Sequence, residues 1–149
     1  MTTIDRWLMS FALALLAVMV WLTAPLHPGV PALQLTFSRE GFHAVLAGWE
    51  QAGEAWRFAR HFWLDFPFAF LYGVLGWRWR QHGLPPWLLA GAALADLLEN
   101  SLHVWFLDAP SVVPEGAYLV AGWAALVKFK LLAVAGLVFA TSRWRRRSV

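Results

Sequence analysis

Long apolar runs separated by short polar breaks dominate the chain. Four of them are long enough for a helix to cross a hydrocarbon layer about 30 Å thick, which takes roughly 20 residues. They cover residues 7–24, 62–79, 86–107 and 117–142. The first contains no charge, and the second is interrupted by Asp65 and Pro67, with Pro67 expected near its start, where a missing amide costs least. The third opens on Pro86, a residue suited to helix entry, and carries Asp96, Glu99, Asn100 and His103. The fourth carries Lys128 and Lys130.

Residues 25–61 are too many for a simple turn. Pro25, Pro28, Gly29 and Pro31 predict irregular backbone, after which Leu33, Leu35 and Phe37 alternate with polar residues. Ser38 is a candidate N-cap, and from there the period becomes helical. Phe42, Leu46, Trp49 and Trp56 share one face, and His43, Glu50, Glu54, Arg57 and His61 the other. The pattern predicts an amphipathic helix over 38–61 that lies on the outer membrane surface and runs into the second span. The expected fold is therefore all-α: one integral membrane domain over residues 1–149, built as a four-helix transmembrane bundle with a surface helix between spans one and two.

Composition agrees with a chain dissolved in lipid. Hydrophobic residues make up 60% and charged residues 14%, against about a quarter charged in soluble domains. The formal charge of +3 comes largely from Arg143, Arg145, Arg146 and Arg147. Because this cluster directly follows an apolar run, it reads as a topology signal and not as a nucleic-acid site. Arg6, Arg78 and Arg80 fall on the same side, whereas residues 108–116 hold Asp108 and Glu115 and no basic residue. Both termini and the Arg78 turn are thus expected in the cytoplasm. Trp7, Trp21, Trp63, Trp77, Trp79, Trp87, Trp105 and Trp144 fall near span ends, where indoles favour the headgroup layer. Arg6 before an apolar run also resembles a signal peptide, but the run is long and Leu22 is a poor residue two positions before a cut at Ala24, so a retained helix is expected. Ten arginines against two lysines, with abundant alanine, suggest a bacterial source and hence the inner membrane. Cysteine is absent, which excludes disulfides, thiolate metal sites and thiol nucleophiles.

The candidate chemistry lies within the spans. Asp96, Glu99, Asn100 and His103 form one helical stripe about 100° wide. Ionisable groups at membrane depth cost at least about 2.5 kcal/mol each on insertion scales, so they face a bundle interior or a water-filled cavity. Asp65 and Tyr72 share a face of the second span, with Gly76 below them. Lys128 lies on the small-residue face of the fourth span with Ala117, Ala121, Ala124, Ala125 and Ala135, and is expected to point inward. Lys130 lies on the other side and must snorkel toward the cytoplasm. The expected polar pocket comprises Asp65, Tyr72, Asp96, Glu99, Asn100, His103 and Lys128.

Blander readings compete. Such a network can serve only to fix helix packing and register. Asp65, Asp96, Glu99 and His103 make a mixed oxygen and nitrogen set, but without a second histidine on a facing helix no metal is expected. A Schiff base on Lys128 would look like any desolvated lysine, so no cofactor is implied. The His43, Glu50, Glu54 and His61 stripe is too extended for one ion and reads as a solvated face.

D-F-P-F-A-F-L-Y (residues 65–72) paired with D-L-L-E-N (residues 96–100) resembles a pattern in small, uncharacterised bacterial four-helix membrane proteins. The resemblance implies a membrane bundle and no activity. The order of one span, a long outer segment and three further spans is also similar in layout to the eukaryotic sterol-isomerase-like membrane fold, whose pocket holds intramembrane carboxylates. No motif aligns, so no site carries over.

The favoured function is binding or moving a small or lipid-like molecule at the polar pocket. A second reading is a membrane enzyme acting on an isoprenoid or other lipid, with Asp96 or Glu99 as acid and base and Tyr72 or His103 orienting the substrate. A third is a non-catalytic assembly subunit, which a pocket closed by side chains would favour. The expected partners are membrane lipids, a small or lipid-like ligand, and a second copy or another membrane protein; nucleic acid is not expected.

Overall fold

The computed structural model describes residues 2–82 and 84–147, excepting the side chains at 81, 82 and 143–147. The side chains of Arg143, Trp144, Arg145, Arg146 and Arg147 therefore lie outside the described residues. The fold is all-α: 86% of the chain is helical, and no strand occurs among the described residues. Helix α1 covers Thr3–Thr23, α2 Val30–Gln34, α3 Arg39–Gln51, α4 Ala55–Arg78, α5 Pro86–Asp108 and α6 Glu115–Arg147. Two stretches, Thr3–Thr23 and Glu115–Ser142, are long and apolar enough to cross a membrane.

Helix α1 begins with a capping box, in which Thr2 Oγ1 accepts from Asp5 N and Asp5 Oδ2 accepts from Thr2 N. The Arg78 Nε group donates to Asp5 Oδ1 at 2.5 Å, tying the start of α1 to the end of α4. The four long helices pack in chain order, α1 on α4, α4 on α5 and α5 on α6. Glycines let α4 approach α5 closely. A Cβ placed on Gly73 would lie 3.0 Å from Ala93 Cβ, and one on Gly76 only 2.4 Å from Leu89 Cβ.

The stretch from residue 25 to residue 67 departs from expectation in three ways. Residues 30–34 form helix α2, with Pro31 in its first turn, where a missing amide breaks no helical bond. Leu33 is buried, while Leu35 and Phe37 stay partly exposed, so the apparent alternation marks no strand.

The expected helix over 38–61 is two helices. Glu54 N donates to Trp49 O and Gly53 N to Glu50 O, a Schellman ending that requires the left-handed backbone found at Gly53, φ 72°. That turn resets the helical phase. Phe42, Leu46 and Trp49 are buried as expected, but Trp56 is 44% exposed under Arg57 and Arg60, and His61 is buried. Helix α3 plugs the end of the bundle: the Phe42 ring sits among Phe58, His103, Phe106 and Tyr118.

Pro67 is the third departure, because α4 starts at Ala55 and places it well inside the helix. Its missing amide leaves the Trp63 carbonyl without the usual helical donor. Both residues face outward, where the break disturbs no packing.

Candidate functional site

Three helices supply the site. From α4 come His61, Asp65 and Tyr72, from α5 Asp96, Glu99, Asn100 and His103, and from α6 Lys128; all are buried. The seven residues expected from the sequence meet in one cluster, because each lies on the face its helix turns toward its neighbours. Tyr72 donates its hydroxyl hydrogen to Asp96 Oδ2 at 2.9 Å. Lys128 Nζ donates to Asp96 Oδ1 at 3.0 Å and lies 2.6 Å from Glu99 Oε2, an ion contact off the hydrogen-bond axis. Asn100 Nδ2 donates to Asp65 Oδ2 at 3.0 Å and, more weakly, to Asp96 Oδ1 at 3.5 Å. His103 Nδ1 stands 3.8 Å from Glu99 Oε1, the far end of the chain of contacts.

His61 is the member that sequence reading missed. The sequence pattern puts it on a solvated stripe with His43, Glu50 and Glu54, yet the break at Gly53 turns it inward, where its Nε2 lies 3.6 Å from Asp65 Oδ2. A usable signal existed: His61 is four residues before Asp65, one helical turn along the same face. Its Nδ1 contacts the Phe58 carbonyl at 2.5 Å. A carbonyl only accepts, so Nδ1 carries the proton, and in the neutral ring Nε2 is a bare lone pair.

The charge balance is uneven. Three carboxyl groups, Asp65, Asp96 and Glu99, share one ammonium, Lys128, which engages the latter two. Among the described residues, Asp65 accepts only from the Asn100 amide, and the His61 Nε2 lone pair beside it donates nothing. The buried polar atoms of the cluster without a hydrogen-bond partner are His61 Nε2, both Glu99 oxygens, Asn100 Oδ1 and His103 Nδ1.

A cleft of about 430 Å³ reaches this cluster from the side of the bundle. Leu16, Met19 and Val20 of α1 form one wall, and Phe129 and Leu132 of α6 the other. His61, Asp65, Tyr72, Asp96 and Lys128 form the floor, and Val30, Pro31 and Gln34 of α2 close one end. An apolar groove over a few convergent polar groups is the usual form of a small-molecule site. No group of three or more His, Asp and Glu residues positioned to hold a metal ion occurs among the described residues. Lys128 Nζ occupies the position between Asp96 and Glu99 that an ion would need. Lys130 is exposed, opposite in direction to Lys128. Compared with known protein families, with curated proteins and with solved structures, the chain has no match.

Proposed function

We propose that the chain is a four-span protein of a bacterial inner membrane that binds or moves a small or lipid-like molecule in the groove between α1 and α6. The observation that carries the reading is the groove itself, with apolar walls that a chain or ring can enter sideways and a floor of buried carboxyl, imidazole and ammonium groups.

Support for four spans comes from the direction of the side chains. At about 1.5 Å per residue, each of the four long helices reaches roughly 30 Å or more. Helices α4 and α5 carry polar residues that lower their hydropathy, but Asp65, Asp96, Glu99 and Asn100 all point inward. Their outward faces present Trp63, Phe70 and Trp77, and Trp87, Leu94 and Leu98. The arginine distribution favours an orientation with both termini and the Arg78 turn in the cytoplasm and residues 25–61 outside. With single cysteines introduced, an impermeant thiol reagent applied from outside should label Gln51→Cys and spare Gln81→Cys. The reverse pattern would invert the orientation.

The groove is tested by what it retains. Native mass spectrometry of the gently purified protein should find a bound molecule in the wild type that is lost in Val20→Trp. Val20 lines the groove and is 59% exposed, so the larger ring fills the entrance without entering the core. No retained mass, or equal retention in both proteins, would overturn ligand binding.

Acid and base chemistry is favoured less by the geometry. Glu99 is fully buried away from the groove, and both Asp96 oxygens are engaged. The open groove also differs from the closed pocket that an assembly subunit would favour.

A further inference from the structure

The geometry points to a lipophilic amine as the ligand, its protonated nitrogen donating to Asp65 and His61 and its apolar body lying between α1 and α6; this rests on the groove being a ligand site. Donors and acceptors at the groove are unequally spent. Lys128 Nζ, the Tyr72 hydroxyl and Asn100 Nδ2 are already directed at carboxylates of the cluster. His61 Nδ1 is spent on the Phe58 carbonyl, and the Thr23 hydroxyl on Met19 O at 2.8 Å. Among the described residues that line the groove, donor capacity remains on the Gln34 amide, which also accepts, and on the third N–H of Lys128, whose ammonium is held by Asp96 and Glu99.

What the floor offers in excess is acceptors. Among the described residues, Asp65 Oδ1 makes no hydrogen bond, and the buried Nε2 of His61, a residue of the groove lining, has no hydrogen-bond partner. An ammonium head supplies two missing quantities together, namely N–H donors for these atoms and positive charge beside three carboxyls that share one lysine. A hydroxyl supplies the first without the second. An anionic head supplies neither. The walls then require an apolar body, because Leu16, Met19, Val20, Phe129 and Leu132 have nothing to offer a hydrated one.

The test uses the full-length protein in nanodiscs equilibrated with dodecylamine, dodecanol or dodecanoate at equal membrane mole fraction, with retention read by native mass spectrometry near neutral pH. The amine should be retained roughly tenfold or more over the alcohol, the scale of a charge-assisted over a neutral hydrogen bond, and the carboxylate not at all. Asp65→Asn should remove the preference for the amine over the alcohol. His61→Phe, which keeps a ring stacked on Phe58 and deletes the lone pair, should act in the same direction. Equal retention of the three heads, or an amine preference indifferent to both substitutions, would overturn the amine assignment and leave the groove standing. Failure of all three chains to be retained more by the wild type than by Val20→Trp would overturn the groove reading and the amine with it.

Discussion

Replacing Lys128 with methionine should lower the stability of the detergent-solubilised protein by about 3–5 kcal/mol, the usual cost of stranding the partner of a buried ion pair. Methionine keeps most of the volume, so the loss is electrostatic in origin. Lys128 is 4% exposed and its ammonium touches Asp96 and Glu99, which are 3% and 0% exposed, so solvent does little to screen the group. Asp96→Asn and Glu99→Gln should each destabilise as well. In the doubles Lys128→Met/Asp96→Asn and Lys128→Met/Glu99→Gln, a stranded charge leaves together with its partner. Their losses should therefore fall short of the sums of the singles, by something within the 0.5–3 kcal/mol usual for directly contacting residues. The Glu99 cycle is the sharper one, because among the described residues Glu99 has no hydrogen-bond donor besides this ion contact, whereas Asp96 keeps Tyr72 and Asn100. Additive losses in both cycles would show that Lys128 does not share a site with these acids.

The same cluster shows which parts of a membrane-type sequence are legible. Polar residues deep in an apolar helix are so costly that they turn inward unless, like Lys130, they can snorkel to an interface, and a period of 3.6 residues then says which share a face. That is why Asp65 with Tyr72, and Asp96 with Glu99, Asn100 and His103, were visible as stripes before any fold was known. Lys128 was legible for a different reason, its company of alanines. Residues 25–61 were harder, because outside an apolar span a polar residue is free to face either way. His61 illustrates the loss: one left-handed glycine upstream rotates every later side chain, and nothing local in the sequence distinguishes Gly53 as an ending from Gly48, which stays within α3. Pro67 fails in a related way. Hydropathy locates where a helix enters the apolar run, whereas hydrogen bonding continues α4 back to Ala55 through Arg57 and Arg60. The groove was not legible at all, since it depends on α1 and α6 being the two ends of a row of helices packed in chain order.

Gly76→Ala should be the most damaging single methyl group that can be added to the α4–α5 interface, at about 1–3 kcal/mol, the range for overpacking a well-filled core. Elsewhere in a helix the same change is favourable by roughly 0.5–1 kcal/mol, because alanine loses less backbone entropy. Gly136 on α6 provides that comparison, since a Cβ there meets nothing within 4 Å, and Gly136→Ala should be neutral or slightly stabilising. At Gly76 the new Cβ would lie 2.4 Å from Leu89 Cβ. Neither atom can rotate away, because each is bonded directly to its backbone, so relief requires the two helix axes to separate. Tyr72 lies one turn from Gly76 on the same face, and its 2.9 Å bond to Asp96 spans this interface. Separation of the axes should therefore reach the polar site and reduce the ligand retention proposed above along with stability. The mechanism is distinguished by its rescue. Leu89→Gly removes the opposing atom and should offset part of the Gly76→Ala loss in the double variant, whereas Leu89→Ala keeps that atom and should not. Thermal or denaturant unfolding of the three singles and two doubles measures both couplings. Equal behaviour of the two doubles would mean that the contact between Gly76 and Leu89 does not set the spacing of α4 and α5.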